Sequence, residues 1–72
     1  DASIYVLELD QDRQIDFAVD IGRQAYLVQI EGSSLINGLT LNMRDGLEVS
    51  EETLRITAVE KSHYLLVEMK KS

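Results

Sequence analysis

Seventy-two residues carry one histidine and no cysteine, so the inventory for nucleophilic or metal chemistry is short. His63 is the one imidazole that could titrate near neutral pH or ligate a metal. It follows the polar turn Glu60-Lys61-Ser62, and nothing beside it supplies a nucleophile or a base; a surface or cross-strand role fits it better. Glu51 and Glu52, with Glu48 nearby, could act as paired carboxylates, but acid–base work needs one carboxyl buried with a raised pKa. Adjacent acids in a polar break read instead as a solvated edge. Asp10, Asp12, Asp16 and Asp20 lack the central glycine and closing glutamate of an EF-hand loop. Ser33-Ser34 is not framed as a nucleophile elbow. No helix follows Gly32 or Gly38 to present an N-terminus to phosphate. Lys70-Lys71 is too short for an electrostatic anchor, and Tyr5, Tyr26 and Tyr64 read as core-edge packing with hydroxyls reaching solvent. No residue is therefore assigned a catalytic, cofactor-binding or metal-binding role.

The elements that would position these side chains are strands. Alternation with period two recurs along the chain, and helical periodicity is hard to find. Tyr5, Leu7 and Leu9 share one face of a first strand whose other face, Ile4 and Val6, is also apolar. Asp10-Gln11-Asp12 is a polar turn, after which Ile15, Phe17 and Val19 alternate with Gln14, Asp16 and Ala18. Asp20-Ile21-Gly22-Arg23 breaks the pattern, because glycine tolerates the positive φ that a turn often requires. Tyr26 to Ile30 is almost continuously apolar, as expected of a central strand covered on both faces. Gly32-Ser33-Ser34 reads as a loop or bulge. Asn37-Gly38 between Ile36 and Leu39 is the strongest hairpin signal in the chain, and Asp45-Gly46 repeats that turn chemistry before Leu47 and Val49. After the break at Ser50-Glu51-Glu52, Leu54, Ile56 and Ala58 alternate with Arg55 and Thr57, and His63 to Met69 forms the last strand. About seven short antiparallel strands at this turn spacing predict a sandwich or barrel.

Composition bounds the rest. A chain of this size is one domain, residues 1–72, and buries only about 60% of its unfolded surface. Small folds usually recruit a disulfide, a metal or a partner surface. Without cysteine and with a single histidine, a disulfide is excluded and a structural zinc disfavoured; a partner surface remains. Thirteen acidic residues against seven basic ones give a net charge of −6, the wrong sign for nucleic acid. No apolar run approaches the roughly 20 residues of a membrane span, and no signal-peptide pattern is present, so the default compartment is cytoplasmic.

Tyr26-Leu-Val-Gln-Ile-Glu-Gly32, Ile36-Asn37-Gly38, Asp45-Gly46-Leu47 and the closing Tyr64-Leu-Leu-Val-Glu-Met69 together resemble the C-terminal cupin half of pirin-like bicupins. That family includes proteins called quercetin 2,3-dioxygenases. The resemblance spans nearly the whole chain from Ile4-Tyr-Val-Leu-Glu-Leu9 onward. It implies a small cupin-like, jelly-roll type β-barrel. In that family iron, or another divalent metal, sits in the N-terminal cupin on three histidines and a glutamate, where a flavonol such as quercetin would bind and be cleaved by dioxygen. The general cupin motif would place H-x-H and a glutamate around Gly22-Arg-Gln-Ala-Tyr-Leu-Val28, and a further histidine near Leu54 to Ile56. Neither segment contains histidine, so the resemblance carries no metal role to this chain.

The leading expectation is a non-catalytic structural or interaction cupin, packing against an N-terminal cupin or a copy of itself, with Ile4, Val6 and Leu27 as candidate contacts. The alternatives are a small-molecule-binding barrel with an apolar interior and, last, a metal-dependent dioxygenase built around His63.

Overall fold

The computed structural model describes residues 2–71. Eight strands follow one another: β1 (Ala2–Leu9), β2 (Gln14–Ala18), β3 (Arg23–Glu31), β4 (Ser34–Ile36), β5 (Leu39–Leu41), β6 (Gly46–Ser50), β7 (Thr53–Ala58) and β8 (Ser62–Lys70). They form two antiparallel four-stranded sheets, sheet I in the order β1-β8-β3-β6 and sheet II in the order β2-β7-β4-β5. Every connection except the β4–β5 hairpin passes from one sheet to the other, which is the double Greek key of a jelly roll. The all-β, cupin-like architecture is as expected. There are eight strands rather than seven because both hairpin arms, three residues each, are strands too short for an alternating pattern to separate.

The turns explain why the chain can cross so often. Asn37 and Gly38 have φ of 49° and 83°, both positive as a two-residue type I′ turn requires, and Ile36 pairs directly with Leu39. Five crossovers also contain a residue of positive φ: Asp12, Gly22, Gly32, Arg44 and Glu51. The segment around Asp45-Gly46 departs from the hairpin expected there. It is a crossover from β5 to β6, in which the Asp45 carboxylate accepts from the Asn42 amide at 2.9 Å. The positive φ falls on Arg44, while Gly46 opens β6. Ser34 likewise belongs to a buried strand rather than a loop. The irregularity of β3 lies between Gln29 and Glu31, where the pairing with β8 shifts by one residue.

The inner faces of the two sheets make the core. Leu27, Ile36, Leu54, Ile56, Tyr64 and Leu66 are all 0% exposed, and Leu7, Ile15, Phe17 and Leu47 pack against them. Two expectations are corrected here. Leu27 points into the core, since Ala25, Leu27 and Gln29 alternate inward along β3, so it is not a contact residue. Tyr64 is fully buried, and its hydroxyl meets Ser34 Oγ instead of solvent. Among the described residues there is no helix long and apolar enough to cross a membrane.

Candidate functional site

The period of two that fills the core on one side of sheet I leaves the opposite side chains on its outer face. Register places them in rows across the strands. Ile4, Val67 and Tyr26 form one row and Val6, Leu65 and Val28 the next. Ile4 is 69% and Val6 75% exposed, and Val28, Leu65, Val67 and Met69 are half-buried. Two contiguous apolar rows therefore face outward from β1, β8 and β3, and β6 ends them with Glu48 and Gly46. The outer face of sheet II is different in kind: Gln14, Asp16, Arg55, Thr53 and Thr57 dominate it, with Arg55 Nε on Asp16 at 3.3 Å. A free-standing antiparallel sandwich solvates both outer faces with polar residues, and sheet II comes close to doing so, with Leu35 as its exposed apolar exception.

Polar side chains close one end of the apolar rows. His63 donates from Nε2 to the Glu8 carboxylate at 2.7 Å, and its Nδ1 lies 3.7 Å from Glu31. Lys61 approaches Glu8 at 3.9 Å. The His63 hydrogen bond, followed by the charges of His63 and Lys61, holds the Glu8 carboxyl below its ordinary value. The single imidazole is thus a cross-strand tie among β1, β8 and β3. The β3 bulge makes this possible, since the one-residue shift after Gln29 brings Glu31, instead of Ile30, opposite His63.

Toward the other end, Gln24, Ala25, Tyr26, Glu48 and Met69 line a shallow recess of about 160 Å³. Tyr26 lies beside it because β6 has glycine at position 46: a Cβ there would collide with the Tyr26 hydroxyl. A larger groove of about 390 Å³ crosses sheet II among Leu35, Asn37, Gly38, Thr53, Arg55 and Thr57. Both recesses lie on outer faces.

The interior is polar only near its ends. At one end Arg23 clasps Glu68 through two hydrogen bonds of 2.8 and 2.6 Å. That pairing lowers the Glu68 pKa and raises that of Arg23. Tyr5 and Phe17 meet edge-to-face in the same layer of the sandwich, their centroids 5.3 Å apart. At the other end Gln29, Ser34, Ser62 and Tyr64 are buried together. Gln29 Nε2 donates to the Glu31 carbonyl at 2.8 Å, while no described protein donor reaches its Oε1.

The acidic residues singled out in the sequence are scattered by the fold. Glu51 accepts from the Gly22 amide at 2.9 Å and from Lys71 at 3.3 Å, which lowers its pKa; it ties a turn and is not one of a carboxylate pair. Asp16 serves Arg55, and Asp10 shapes its own turn by accepting from the Arg13 amide at 3.1 Å. Among the described residues no three His, Asp or Glu side chains are grouped so as to hold a metal ion. The exposed face of sheet I was signalled in sequence by Ile4 and Val6, but the share supplied by β8 and β3 was not. Its residues look like ordinary apolar strand residues until the register is known.

Residues 1–69 match the sequence profile described as the Quercetinase C-terminal cupin domain. The chain belongs to that family. It is 43% identical over 70 residues to a Pseudomonas aeruginosa protein named as a candidate quercetin 2,3-dioxygenase, covering 96% of this chain and 30% of that protein. Among solved structures, the bacterial pirin YhhW of Escherichia coli in complex with nickel(II) superposes with a TM-score of 0.95 at 26% identity, over 100% of this chain and 32% of that one. The EutQ protein of Clostridium difficile shares the fold, with a TM-score of 0.69 at 9% identity over 99% of this chain and 53% of that one. This quercetinase-type cupin thus spans about a third of the length of the relatives it matches most fully.

Proposed function

We propose that residues 1–72 act as one structural domain of a pirin-like protein, packing against a metal-bearing cupin and doing no chemistry themselves. The outer face of sheet I is the observation that carries this reading. Burying the exposed parts of Ile4 and Val6 alone is worth about 2–4 kcal/mol at the usual return for aliphatic side chains, and the half-buried rows beside them add to it. That gain is available only when something apolar covers the face.

The inner surface supports the same reading. Where the cupin frame would present metal ligands, the inward side chains are Ala25 and Leu27 on β3 and Leu54 and Ile56 on β7. None of the four has a donor atom in its side chain, so these positions do not fit a divalent metal, and no step of flavonol oxidation is routed through them. The core side chains fill the space in which a small barrel would hold a ligand. Quercetin oxidation, where the whole protein performs it, belongs to the other cupin.

Two measurements test the proposal on the purified chain. Native mass spectrometry after incubation with Fe(II) and Ni(II) is expected to give a metal-free species. Sedimentation and binding of an environment-sensitive apolar dye are expected to report a self-associating, dye-binding face. Val6→Asp with Val67→Asp should weaken association roughly ten- to a hundredfold per site, from the same burial energies. A stoichiometric metal adduct, or quercetin turnover lost on His63→Ala, overturns the non-catalytic reading. A monomer that ignores the dye overturns the docking face.

A further inference from the structure

Resting on that docking face, we infer that the recess beside Tyr26 is a socket for one arginine side chain of the partner surface. Five features point to a cation. Glu48 stands directly opposite Tyr26 across the β3–β6 pair, and among the described residues its carboxylate has no ion-pair partner. Tyr26, 46% exposed, offers a ring at the mouth, and aromatic faces attract cations. Met69 supplies a polarisable apolar wall, opposite Gln24 in the β3–β8 register, and Gln24 adds an amide able to hydrogen-bond. The chain's net charge of −6 favours a basic partner rim over an acidic one.

Size and shape select the occupant. Clefts that take drug-sized ligands start near about 300 Å³, so a recess of about 160 Å³ suits a single side chain. A planar guanidinium can lie against the Tyr26 ring and direct a paired fork of donors at Glu48, which a lysine ammonium cannot do as well. Gly46 is part of the device, since any side chain there would lift Tyr26 out of place. The socket lies at the rim of the apolar rows, built by β8, β3 and the edge strand β6, and at a rim charged contacts set register and partner choice.

The test titrates the isotope-labelled chain with N-acetyl-arginine methylamide and, separately, with the uncharged isostere N-acetyl-citrulline methylamide, by two-dimensional NMR. The arginine probe is expected to shift Gln24, Tyr26, Glu48 and Met69 and to bind at least fivefold more tightly than the citrulline probe. Glu48→Gln should abolish that preference, Tyr26→Phe should retain it and Tyr26→Ser should reduce it. Glu60→Gln, at an acid on the far turn, should leave it intact. Equal response to both probes, shifts spread evenly over the acidic turns, or a preference that survives Glu48→Gln would each overturn the socket. Association through Val6 and Val67 is read separately. A chain that associates through them yet ignores the arginine probe loses the socket while keeping the docking face.

Discussion

Gly32 is where this fold is least able to accept a side chain, and Gly32→Ala is the sharpest test of how the two sheets are joined. The residue links β3 to β4 at φ +79°, a region that costs an L-residue about 1–2 kcal/mol. A Cβ there would also strike the Lys61 carbonyl and Ser62 Oγ. Neither can swing aside easily. The carbonyl is backbone, and the serine hydroxyl is held on Glu60 O at 2.8 Å and on Ser33 O at 3.2 Å. Forcing atoms into such a contact adds roughly 1–3 kcal/mol, so the variant should lose about 2–5 kcal/mol. A domain of this length holds about 4–11 kcal/mol in all. Gly22→Ala is the matched control, with φ +81° and nothing within 4 Å of the added carbon, and it should lose only the conformational part, about 1–2 kcal/mol. Thermal unfolding followed by circular dichroism separates the two. At about 4–8 °C per kcal/mol for a domain of this size, Gly22→Ala should lower Tm by roughly 4–16 °C and Gly32→Ala by roughly 8–40 °C. Urea midpoints should fall in the same order. If the two variants unfold within about 2 °C of each other, the contact with the β7–β8 turn is not rigid, and the account of this junction fails.

Three further outcomes are expected. Hydrogen bonds from Arg23, the Gly22 amide and His63 hold the Glu68, Glu51 and Glu8 carboxyls below their ordinary 4.5. Depressed folded pKa values mean stability that is present above about 4.5 and lost as pH falls through the folded values; Tm should be flat from neutral to mildly acidic pH and drop below it, less steeply in Glu68→Gln. Tyr64→Phe leaves Ser34 only its 3.5 Å contact with Ser62 Oγ, Ser34→Ala strips the Tyr64 hydroxyl of Ser34, and each should cost about 1–3 kcal/mol. The double variant should cost clearly less than the two together, and simple additivity in denaturant titrations would mean that the two hydroxyls are not coupled. Arg55→Ala breaks an exposed pair with Asp16 whose side chains are 65% and 48% exposed, so urea unfolding should change by no more than about 0.5 kcal/mol.

Much of the fold was legible because its strands alternate cleanly where one face is buried. Ile15 and Phe17 on β2, and Leu54 and Ile56 on β7, declare their inward face by period alone. Asn37-Gly38 declares the hairpin by turn chemistry. Legibility fails where two faces are apolar. Along β3 both Tyr26-Val28 and Leu27 could have faced outward, and only the pairing with β8 and β6 sends Leu27 into the core. The positive φ values at Arg44 and Glu51 were equally hidden, because neither residue type favours that region and the crossover geometry imposes it. Asp45-Gly46 misled for a related reason. Its glycine is required by a tyrosine lying across the neighbouring strand, a contact between residues 20 positions apart that no local turn rule can register. Tyr64 looked like an amphipathic edge residue, since its buried partner, Ser34, lies in the other sheet.

The asymmetry between the two outer faces bears on what such a domain can be. Sheet II solvates its outer face with threonines, Arg55 and Asp16, and could end a protein there. Sheet I presents apolar rows bordered by Glu8, His63 and Glu31 at one end and by Glu48 along the β6 edge. Charged residues at the rim of an apolar patch favour a defined partner over indiscriminate aggregation, since a wrong surface would have to strand those charges without water or counter-charge. The His63 tie fits this arrangement: its hydrogen bond fixes the Glu8 carboxylate at the margin of the contact, with Glu31 close by at 3.7 Å. Under the structural reading proposed above, selection on this domain acts on register and on the outer rows more than on the interior, where any close-packed set of apolar residues would do. Sequence differences within the family should then spare the pairing of Tyr26, Gly46 and Glu48 more than the identities of Leu27, Leu54 and Ile56. That ordering runs opposite to the one expected of a domain whose interior holds a reacting metal.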